Sequence, residues 1–475
     1  MFIGGRWQAP STDAVLEVVS PHTEQVIATV AEAGTQDVDR AVTAARKAFD
    51  EGPWPRTDPK ERIDAVRRLA ALYKERRKEM AQLITAEMGA PISFSKFSQA
   101  TLPMILMEAL ADAAEQVAWE EPRRGHYGGD VLLRRDPIGV VAAIVPWNMP
   151  QFLLVGKLAP ALLAGCTIVV KPSPETPLDA LLLAELVEQV GLPEGVVSIL
   201  PAGREVGAHL VSHPGIDKVS FNGSTAAGRA VAAACGQALK PVSLELGGKS
   251  AAVVLDDADP VAVAQGIKVA GLMNNGQACV AQTRVLVPAS RAAEFTDALA
   301  AMVEGLPVGD PSDPATELGP LVAQRQQQRV RDYIASGQEQ GARLVAGGSE
   351  MPAGVESGWY VRPTLFADVD NSMRIAQEEI FGPVLSVISY ADVDEAVRIA
   401  DDSPYGLSGS VWTADGARGL DVARRVRTGT FGVNQPYSMD PAAPFGGVKA
   451  SGIGRELGRE GIESYLQVKA ISVAP

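Results

Sequence analysis

From about residue 139 onward, short apolar segments alternate regularly with longer segments that have helical periodicity. This alternation predicts strands at 139–145, 167–171, 196–200 and 218–222, and helices at 152–163, 178–190, 206–212 and 226–234. Apolar strands that alternate with helices are typical of a doubly wound parallel sheet. This part of the chain is therefore predicted to be an α/β domain.

Ligands of doubly wound sheets bind beyond the carboxyl ends of the strands. Three motifs come directly after predicted strands: Pro146-Trp147-Asn148, Lys171-Pro172-Ser173 and Gly223-Ser224-Thr225. The third motif also begins a predicted helix, and a helix N-terminus can hold a pyrophosphate group, although Gly-Ser-Thr is equally common as an ordinary helix cap. These motifs predict where the ligand-binding face of the sheet lies.

A second alternating region begins near residue 250. Its predicted helices are 261–273, 291–303 and 323–340, and its predicted strands are 284–287, 385–389, 408–412 and 430–433. We expect two N-terminal helices, 35–50 and 59–88, to pack on the first domain. Two further segments stand apart from the alternating pattern: 125–135 predicts a hairpin around Gly128-Gly129, and 464–473 predicts an exposed apolar strand.

Composition restricts the class of protein. The chain has 475 residues with 46% hydrophobic and 21% charged residues, which is typical of a globular protein of two to three domains. A net charge of -14 argues against a nucleic-acid surface, and no apolar run reaches the roughly 20 residues of a membrane helix. We expect no membrane association and a cytoplasmic location.

The three cysteines differ in their surroundings. Cys166 and Cys235 lie in apolar and alanine-rich segments, so we expect them to be buried core residues. Cys279 instead ends the loop that begins at Asn274, between a predicted helix and a predicted strand. About thirty residues upstream, Glu245 is an isolated acid in apolar and glycine-rich surroundings. A thiol nucleophile, a poorly solvated carboxylate and a glycine-rich backbone are the parts that covalent carbonyl chemistry requires.

Several motifs in this order resemble the aldehyde dehydrogenase family over nearly the whole chain. They are Pro146-Trp147-Asn148-Met149-Pro150, Lys171-Pro172-Ser173, Phe221-Asn222-Gly223-Ser224-Thr225, Glu245-Leu246-Gly247-Gly248-Lys249, Gly276-Gln277-Ala278-Cys279, Glu378-Glu379-Ile380-Phe381-Gly382-Pro383 and Pro444-Phe445-Gly446-Gly447. The resemblance implies an NAD(P)-binding domain (1–120 and 136–246), a second α/β catalytic domain (247–445), and a small β oligomerisation element (121–135 and 446–475). It also implies a homo-oligomer, either a dimer or a tetramer, in which this element joins subunits and covers exposed sheet edges.

The resemblance implies oxidation of an aldehyde to its carboxylic acid. Cys279 is expected to attack the carbonyl as a thiolate, with its pKa lowered by amide donors or by the cofactor. Asn148 and the Cys279 backbone N–H are expected to form the oxyanion hole. Glu245 is the expected general base, and Lys157 and Glu456 are expected to help remove the proton. None of the four histidines is well placed to partner Cys279, which argues against a cysteine-histidine hydrolase.

NAD is the expected cofactor, and no metal is expected. By resemblance, Lys171 holds the adenosine ribose and Glu379 the nicotinamide ribose. Pro174 stands where many family members with strict NAD preference have a glutamate that grips the ribose 2′-hydroxyl, so NADP use is also expected, and Arg204 would tolerate its phosphate. The full set of predicted cofactor-binding residues is Ile144, Pro146, Trp147, Lys171, Ser173, Gly207, Phe221, Gly223, Ser224, Leu246, Glu379 and Phe381.

The resemblance also implies the walls of the aldehyde tunnel. They are predicted to be Met149, Phe152, Gly156, Met273, Val280, Tyr437 and Phe445. Because none is charged, a substrate with an anionic tail is not expected. Gly156 replaces a bulky aromatic residue of many members and is expected to widen the tunnel, which favours medium-to-long aliphatic, terpenoid or aromatic aldehydes.

Two other functions remain open from the sequence alone. One is a coenzyme A-acylating relative, in which a thiol instead of water releases the acyl group; Glu245 argues against it because acylating members usually lack this base. The other is a non-catalytic binding or structural protein that kept the fold, which Cys279, Glu245 and Asn148 together disfavour. Activity with a panel of aldehydes separates all three.

Overall fold

The computed structural model describes residues 1–436 and 439–474, in which two large sheets carry most of the helices. The first sheet has eight strands, in spatial order Gly452–Ile453, Val242–Glu245, Lys218–Asn222, Val140–Ile144, Thr167–Lys171, Val197–Ile199, Phe2–Ile3 and Arg6–Trp7. The five strands from Val242–Glu245 to Val197–Ile199 are parallel. Strand order reverses beside Val140–Ile144, which makes the sheet doubly wound and marks the crevice where such sheets bind ligands.

The predicted helices of this region are confirmed, with small shifts at their ends. They are Pro150–Ala164, Leu178–Val190, Arg204–Ser212 and Thr225–Gln237. The N-terminal helices Thr35–Asp50 and Pro59–Met88 have the predicted bounds. A further segment was missed by the sequence analysis: a short helix, Ile92–Phe94, a π-helical turn, Ser95–Gln99, and the helix Thr101–Glu115.

The helix Pro150–Ala164 is buried along its whole length. A helix that is apolar all round belongs in a core, and this one packs against Pro59–Met88 and Thr101–Glu115 on one side and the first sheet on the other. It begins with proline directly after Asn148-Met149. The core therefore fixes both the end of the preceding strand and the first turn of this helix.

The second sheet has seven strands, in spatial order Arg343–Ala346, Thr364–Ala367, Val384–Tyr390, Arg284–Pro288, Ala251–Val254, Gly409–Trp412 and Gly432–Val433. Only the first pair is antiparallel. Its helices and the helices that follow it are Pro260–Leu272, Ala292–Glu304, Gln324–Glu339, Arg374–Gln377, Val393–Asp401, Gly416–Arg425 and Gly458–Glu463. The α/β fold class predicted for both lobes is confirmed.

A small three-stranded sheet lies apart from the two lobes. It joins the hairpin Glu120–Arg124 and Asp130–Pro137 to the C-terminal strand Leu466–Val473. The predicted turn is confirmed, with Gly128 and Gly129 at φ 87° and 72°. The C-terminal strand is an exposed edge, as Val468 at 64% exposure shows, but Tyr465 just before it is only 1% exposed.

The C-terminal segment contributes strands to two different sheets. Gly452–Ile453 pairs with Val242–Glu245 in the first sheet, so only Leu466–Val473 of the segment 446–475 belongs to the small sheet. The division of the whole chain into three domains stays a prediction. Among the described residues, no helix combines the length and apolarity needed to cross a membrane.

Candidate active site

The loop before Cys279 has an unusual backbone. Asn274, Asn275 and Gly276 all have left-handed conformations, with φ of 53°, 62° and 71°. Asparagine tolerates this region better than most residues do. The Asn275 side chain anchors the loop, because its amide donates to the carbonyls of Gly89 (2.9 Å) and Pro320 (2.8 Å). A Cβ added at Gly276 would lie 2.3 Å from the carbonyl carbon of Gly382, so the loop needs glycine here.

Asn148 is held against this loop from two directions. Its side-chain Nδ2 donates to the Gln277 carbonyl at 3.0 Å. Its own carbonyl accepts from the side chains of Gln99 and Asn274, each at 2.8 Å. The amide is therefore fixed beside the Cys279 loop, and its role as an oxyanion donor stays a prediction. The partners Gln99, Asn274 and Gln277 were not predicted.

Cys279 is partly buried where the loop meets the first sheet. Burial raises the pKa of its thiol to about 12, with further contributions from the charges of Glu379 and Glu245. Amide donors alone therefore do not lower the pKa of this thiol, contrary to one of the two expectations. A Cβ on Gly248 would lie 2.4 Å from the Cys279 carbonyl oxygen, which explains a glycine at this point of the Glu245-Leu246-Gly247-Gly248 motif.

Glu245 ends a strand of the first sheet and is 4% exposed. Neither carboxylate oxygen has a hydrogen-bond partner among the described residues. Burial raises the pKa of Glu245 well above its ordinary value, and the charge of Glu456 raises it further. A Cβ added at Gly446 would lie 2.6 Å from Glu245 Oε1. The carboxyl group is thus poorly solvated, as predicted.

Lys157 and Glu456 form a buried ion pair near this acid. The same Glu456 oxygen accepts from the Ser220 hydroxyl at 3.2 Å. Lys218 lies on the same strand, two residues before Ser220, and donates to the Ser243 hydroxyl at 2.8 Å. The structure therefore brings the predicted pair together and adds Ser220 and Lys218, which the sequence analysis did not identify.

An apolar cavity of about 40 Å³, here called the inner cavity, reaches Cys279. Five of the seven predicted tunnel residues line it: Met149, Phe152, Met273, Val280 and Phe445. Six further lining residues were missed. Phe94, Ser98, Leu102 and Met439 come from other segments of the chain, whereas Leu153 and Ala278 are direct neighbours of predicted residues.

Two predicted wall residues need separate comment. Gly156 is not among the described lining residues of the inner cavity. A Cβ added there would point toward Leu106, Glu456 and Leu457, each about 4 Å away, so the glycine lies beside the ion pair instead. The expected widening of the tunnel by Gly156 is therefore not seen. Tyr437 lies outside the described residues.

A long cleft on the other side of Cys279 follows the carboxyl ends of the first sheet. It consists of two cavities of about 530 and 540 Å³ that share Arg204 and Ser224. The first is lined by the predicted residues Pro146, Trp147, Gly223, Ser224, Leu246, Glu379 and Phe381, together with Asn148, Glu245 and Cys279. The second is lined by the predicted residues Ile144, Lys171, Gly207, Phe221 and Ser224.

Lys171 and Glu379 are positioned at opposite ends of this cleft. Lys171 Nζ donates to the carbonyls of Pro172 (2.7 Å) and Ala202 (2.9 Å), and burial lowers its pKa to about 8. Glu379 accepts from the Gly248 backbone N–H at 3.0 Å, and burial raises its pKa to about 7. Both side chains are fixed before any ligand binds.

The segment after Lys171 departs from the prediction in one respect. The Ser173 hydroxyl donates to Glu175, and Ser173 is not among the described residues that line the cleft. Glu175 also pairs with Arg325, a cleft residue that the sequence analysis missed. The Glu175 carboxylate is thereby turned toward Arg325. Pro174, the preceding residue, offers no carboxylate.

A partly buried thiol between a cleft long enough for a dinucleotide and an apolar cavity is typical of cofactor-dependent oxidoreductases. A model described as the aldehyde dehydrogenase family matches residues 7–471. The geranial dehydrogenase of Castellaniella defragrans is 47% identical over 471 residues, 99% of this chain and 98% of the relative. This chain belongs to the aldehyde dehydrogenase family.

Solved structures agree with this assignment. An aldehyde dehydrogenase from Mycobacterium tuberculosis complexed with NAD+ superposes with a TM-score of 0.97 and 50% identity, covering 99% of this chain and 97% of that one. A mutant aldehyde dehydrogenase C from Pseudomonas syringae, in complex with NAD+ and octanal, has a TM-score of 0.95 and 44% identity, with 99% and 96% coverage.

Proposed function

We propose that this protein oxidises apolar aldehydes to carboxylic acids with NAD, through an acyl thioester on Cys279. One observation carries the proposal: Cys279 and Asn148 line both the apolar inner cavity and the long cleft. A carbonyl group that reached Cys279 from the inner cavity would therefore face a cofactor in the cleft. That arrangement places a nucleophile, a substrate and a hydride acceptor at one point.

The residues of the cleft fit a dinucleotide. Lys171 is held at the end lined by Phe221 and by the start of the helix Thr225–Gln237, and Glu379 is held near Cys279. The neighbours from M. tuberculosis and P. syringae are complexes with NAD+, which supports NAD as the cofactor here. Bound NAD supplies the hydride acceptor and, in its nicotinamide ring, a positive charge that stabilises the Cys279 thiolate.

In the first chemical step, the Cys279 sulfur forms a bond to the aldehyde carbon. The carbonyl oxygen becomes an oxyanion, which accepts hydrogen bonds from Asn148 Nδ2 and the Cys279 backbone N–H. Asn148 has two amide N–H donors, and one of them is held by the Gln277 carbonyl at 3.0 Å. That bond fixes the amide, so its second N–H is directed before the substrate arrives. The C=O bond then re-forms as the hydride passes to the acceptor in the cleft, which leaves an acyl thioester on Cys279.

In the second step, Glu245 takes a proton from water, and the water oxygen attacks the thioester carbon. The carbon–sulfur bond breaks, and the acid and the Cys279 thiolate are released. Glu245 suits this role because burial raises its pKa, which makes the carboxylate a stronger base than an exposed one. The carboxylate of Glu456, which is paired with Lys157 beside it, accepts the proton next.

The inner cavity supports an apolar substrate. Its predicted and newly found walls are aromatic, aliphatic and thioether side chains with few polar groups, so burying an anionic tail there would be costly. The relative named geranial dehydrogenase and the neighbour bound to octanal point to the same class of aldehyde. The position of Glu245 favours hydrolysis of the thioester over its transfer to coenzyme A.

We also propose a homo-oligomer, because the strand Leu466–Val473 is an exposed edge with unpaired backbone groups. A cytoplasmic location is proposed because all three cysteines are free thiols. Light scattering of the purified protein tests the first proposal; a monomer at micromolar concentration would refute it.

The function is tested with aldehydes of two to twelve carbons, including geranial and succinic semialdehyde, with NAD and with NADP. Formation of reduced cofactor and of the free acid should be greatest for the longer apolar aldehydes. A maximum at acetaldehyde or with the anionic semialdehyde would refute the substrate class. Product that appears only with coenzyme A present would favour the acylating reaction, and no product with any aldehyde would favour a non-catalytic role.

A further inference from the structure

Three polar side chains that the proposed reaction does not use are buried together. They are Glu87, Gln151 and Asp179, each 0% exposed, and they are called here the buried cluster. Each comes from a different helix, and the three helices pack against one another. Burying a polar group is costly unless it is hydrogen-bonded, so the contacts of these side chains show which parts of the fold they hold in place.

Glu87 caps the helix Leu178–Val190. Its Oε2 accepts from the Leu178 backbone N–H at 2.9 Å, and its Oε1 accepts from the Asp179 backbone N–H at 3.0 Å. The first N–H groups of a helix have no partner within the helix, and Pro177, which precedes this one, provides no side-chain cap. Glu87 therefore fixes the first turn of the helix, and the Asp179 side chain with it.

Asp179 extends this contact to the helix that follows Asn148. Its Oδ1 accepts from Gln151 Nε2 at 2.9 Å. Gln151 is the second residue of the helix Pro150–Ala164 and lies only three residues after Asn148. A hydrogen bond at this point fixes the direction in which the chain leaves Asn148.

The helix that carries Glu87 supports Asn148 by a second route as well. The Thr85 hydroxyl, on the same turn of that helix, donates to the Ser95 hydroxyl at 2.8 Å. Ser95 begins the π-helical turn whose last residue, Gln99, donates to the Asn148 carbonyl at 2.8 Å. The end of one helix thus holds both the carbonyl of Asn148 and, through the buried cluster, the chain that follows it.

The two carboxyl groups of the cluster keep at least one proton at neutral pH. Burial raises the pKa of Asp179 to about 7, and burial together with the charge of Asp179 raises the pKa of Glu87 well above its ordinary value. Burial also raises the pKa of the nearby Tyr73 hydroxyl, which stays protonated. Asp179 Oδ2 has no hydrogen-bond partner among the described residues, so this oxygen is a position for the proton.

We propose that the buried cluster positions the oxyanion hole: it holds the start of the helix Pro150–Ala164 so that Asn148 keeps its second N–H directed at the substrate oxygen. The inference rests on the proposed aldehyde oxidation. None of the three side chains is among the described lining residues of the inner cavity or the long cleft. They are therefore positioning residues, which act on the reaction only through Asn148.

Two substitutions of Asp179 separate its hydrogen bonds from its volume. Asp179→Asn keeps an oxygen that accepts from Gln151 and adds N–H donors at the position of the proton, so it mimics the protonated carboxyl group. Asp179→Leu has a similar size and can do neither. Asp37→Leu is the matched control, because Asp37 is also 0% exposed in the first turn of a helix, Thr35–Asp50. The readouts are the rate constant of the NADH burst with octanal and the melting temperature.

At pH 7, Asp179→Leu should lower the burst rate constant about tenfold, less than the roughly 10²–10³-fold that complete loss of an oxyanion donor costs. Asp179→Asn should stay within about twofold of wild type, since a displaced donor and not a lost charge is the cause. Asp37→Leu should lower the melting temperature and leave the burst rate constant unchanged. In an Asn148→Ala background, Asp179→Leu should lower the burst rate constant no further, because residues that act through one donor are not additive.

Equal losses for the two Asp179 variants would overturn the positioning role, and so would an undiminished effect of Asp179→Leu in Asn148→Ala protein. If Asp179→Leu does not fold, Gln151→Leu, which keeps both carboxyl groups, takes its place in the same pair of backgrounds. Wild-type protein that showed no burst with any aldehyde would instead overturn the proposed function itself.

Discussion

On the side of Cys279 that faces the inner cavity, the walls are mainly phenylalanine, methionine and leucine side chains. On the other side four ionisable groups, Lys157, Lys218, Glu245 and Glu456, are buried against the first sheet. An apolar wall can change shape at little cost, whereas a buried charge that loses its partner is strongly destabilising. Substrate range can therefore vary on one side while the chemical groups on the other stay fixed.

The comparison predicts two kinds of mutational effect. Changes on the charged side should alter kcat and its pH dependence. Changes on the apolar side should alter the ranking of substrates by no more than about 1–3 kcal/mol per methylene and leave the pH dependence unchanged.

Cys279→Ala removes the proposed nucleophile, which lies between the two regions. Aldehyde oxidation should fall by roughly 10⁴-fold or more, because loss of a covalent nucleophile leaves only binding and positioning. Cys235→Ala is the matched control, since Cys235 is a buried thiol on the helix Thr225–Gln237. Steady-state formation of reduced cofactor measures both variants. Activity of Cys279→Ala within tenfold of the control would show that another group attacks the aldehyde.

Lys157→Met tests the charged side. Lys157 lowers the pKa of Glu245 from the high value that burial would otherwise produce. Its removal should raise that pKa further, so less of the carboxylate is ionised at neutral pH and the acid limb of the kcat–pH profile should move to higher pH. We expect a loss of about 10–100-fold at pH 7 that is partly recovered near pH 9. An unchanged acid limb of the kcat–pH profile would show that Lys157 does not affect the pKa of Glu245.

Pro174→Glu tests the adenosine end of the cleft, where the existing Glu175 is paired with Arg325. Wild-type protein should prefer NAD but still use NADP. An added carboxylate should repel the 2′-phosphate and lower kcat/KM with NADP about tenfold or more, while NAD serves as the internal control. Equal losses with both cofactors would mean that residue 174 does not face the ribose.

Much of the fold was predictable because long apolar strands and amphipathic helices alternate. Leu178–Val190 and Lys218–Asn222 have the predicted bounds. The strands Ala251–Val254 and Thr364–Ala367 were missed, since four apolar residues give too little periodicity to separate a strand from a loop. In the same way, the sequence does not show that Gly452–Ile453 pairs with the distant strand Val242–Glu245.

The positions of Cys279 and Glu245 in the site could be predicted because each lies in a distinctive motif. Their chemical roles stay predictions. The residues of distant segments that hold the site in place have no comparable motif in the sequence. Gln99 and Asn275 hold the site through backbone carbonyls that the sequence does not mark, although two consecutive asparagines before a glycine do suggest left-handed backbone. Gly156 shows the converse. The sequence placed it correctly on a helix, but it did not show which neighbouring elements this side of the helix contacts.

We propose that Glu245 drives hydrolysis of a thioester on Cys279 and is not needed to form it. Rapid mixing of Glu245→Gln with NAD and octanal measures this directly. We expect a burst of about one equivalent of NADH per Cys279, followed by turnover reduced at least about 100-fold. Continued turnover at the wild-type rate at neutral pH, or the absence of any burst, would contradict it.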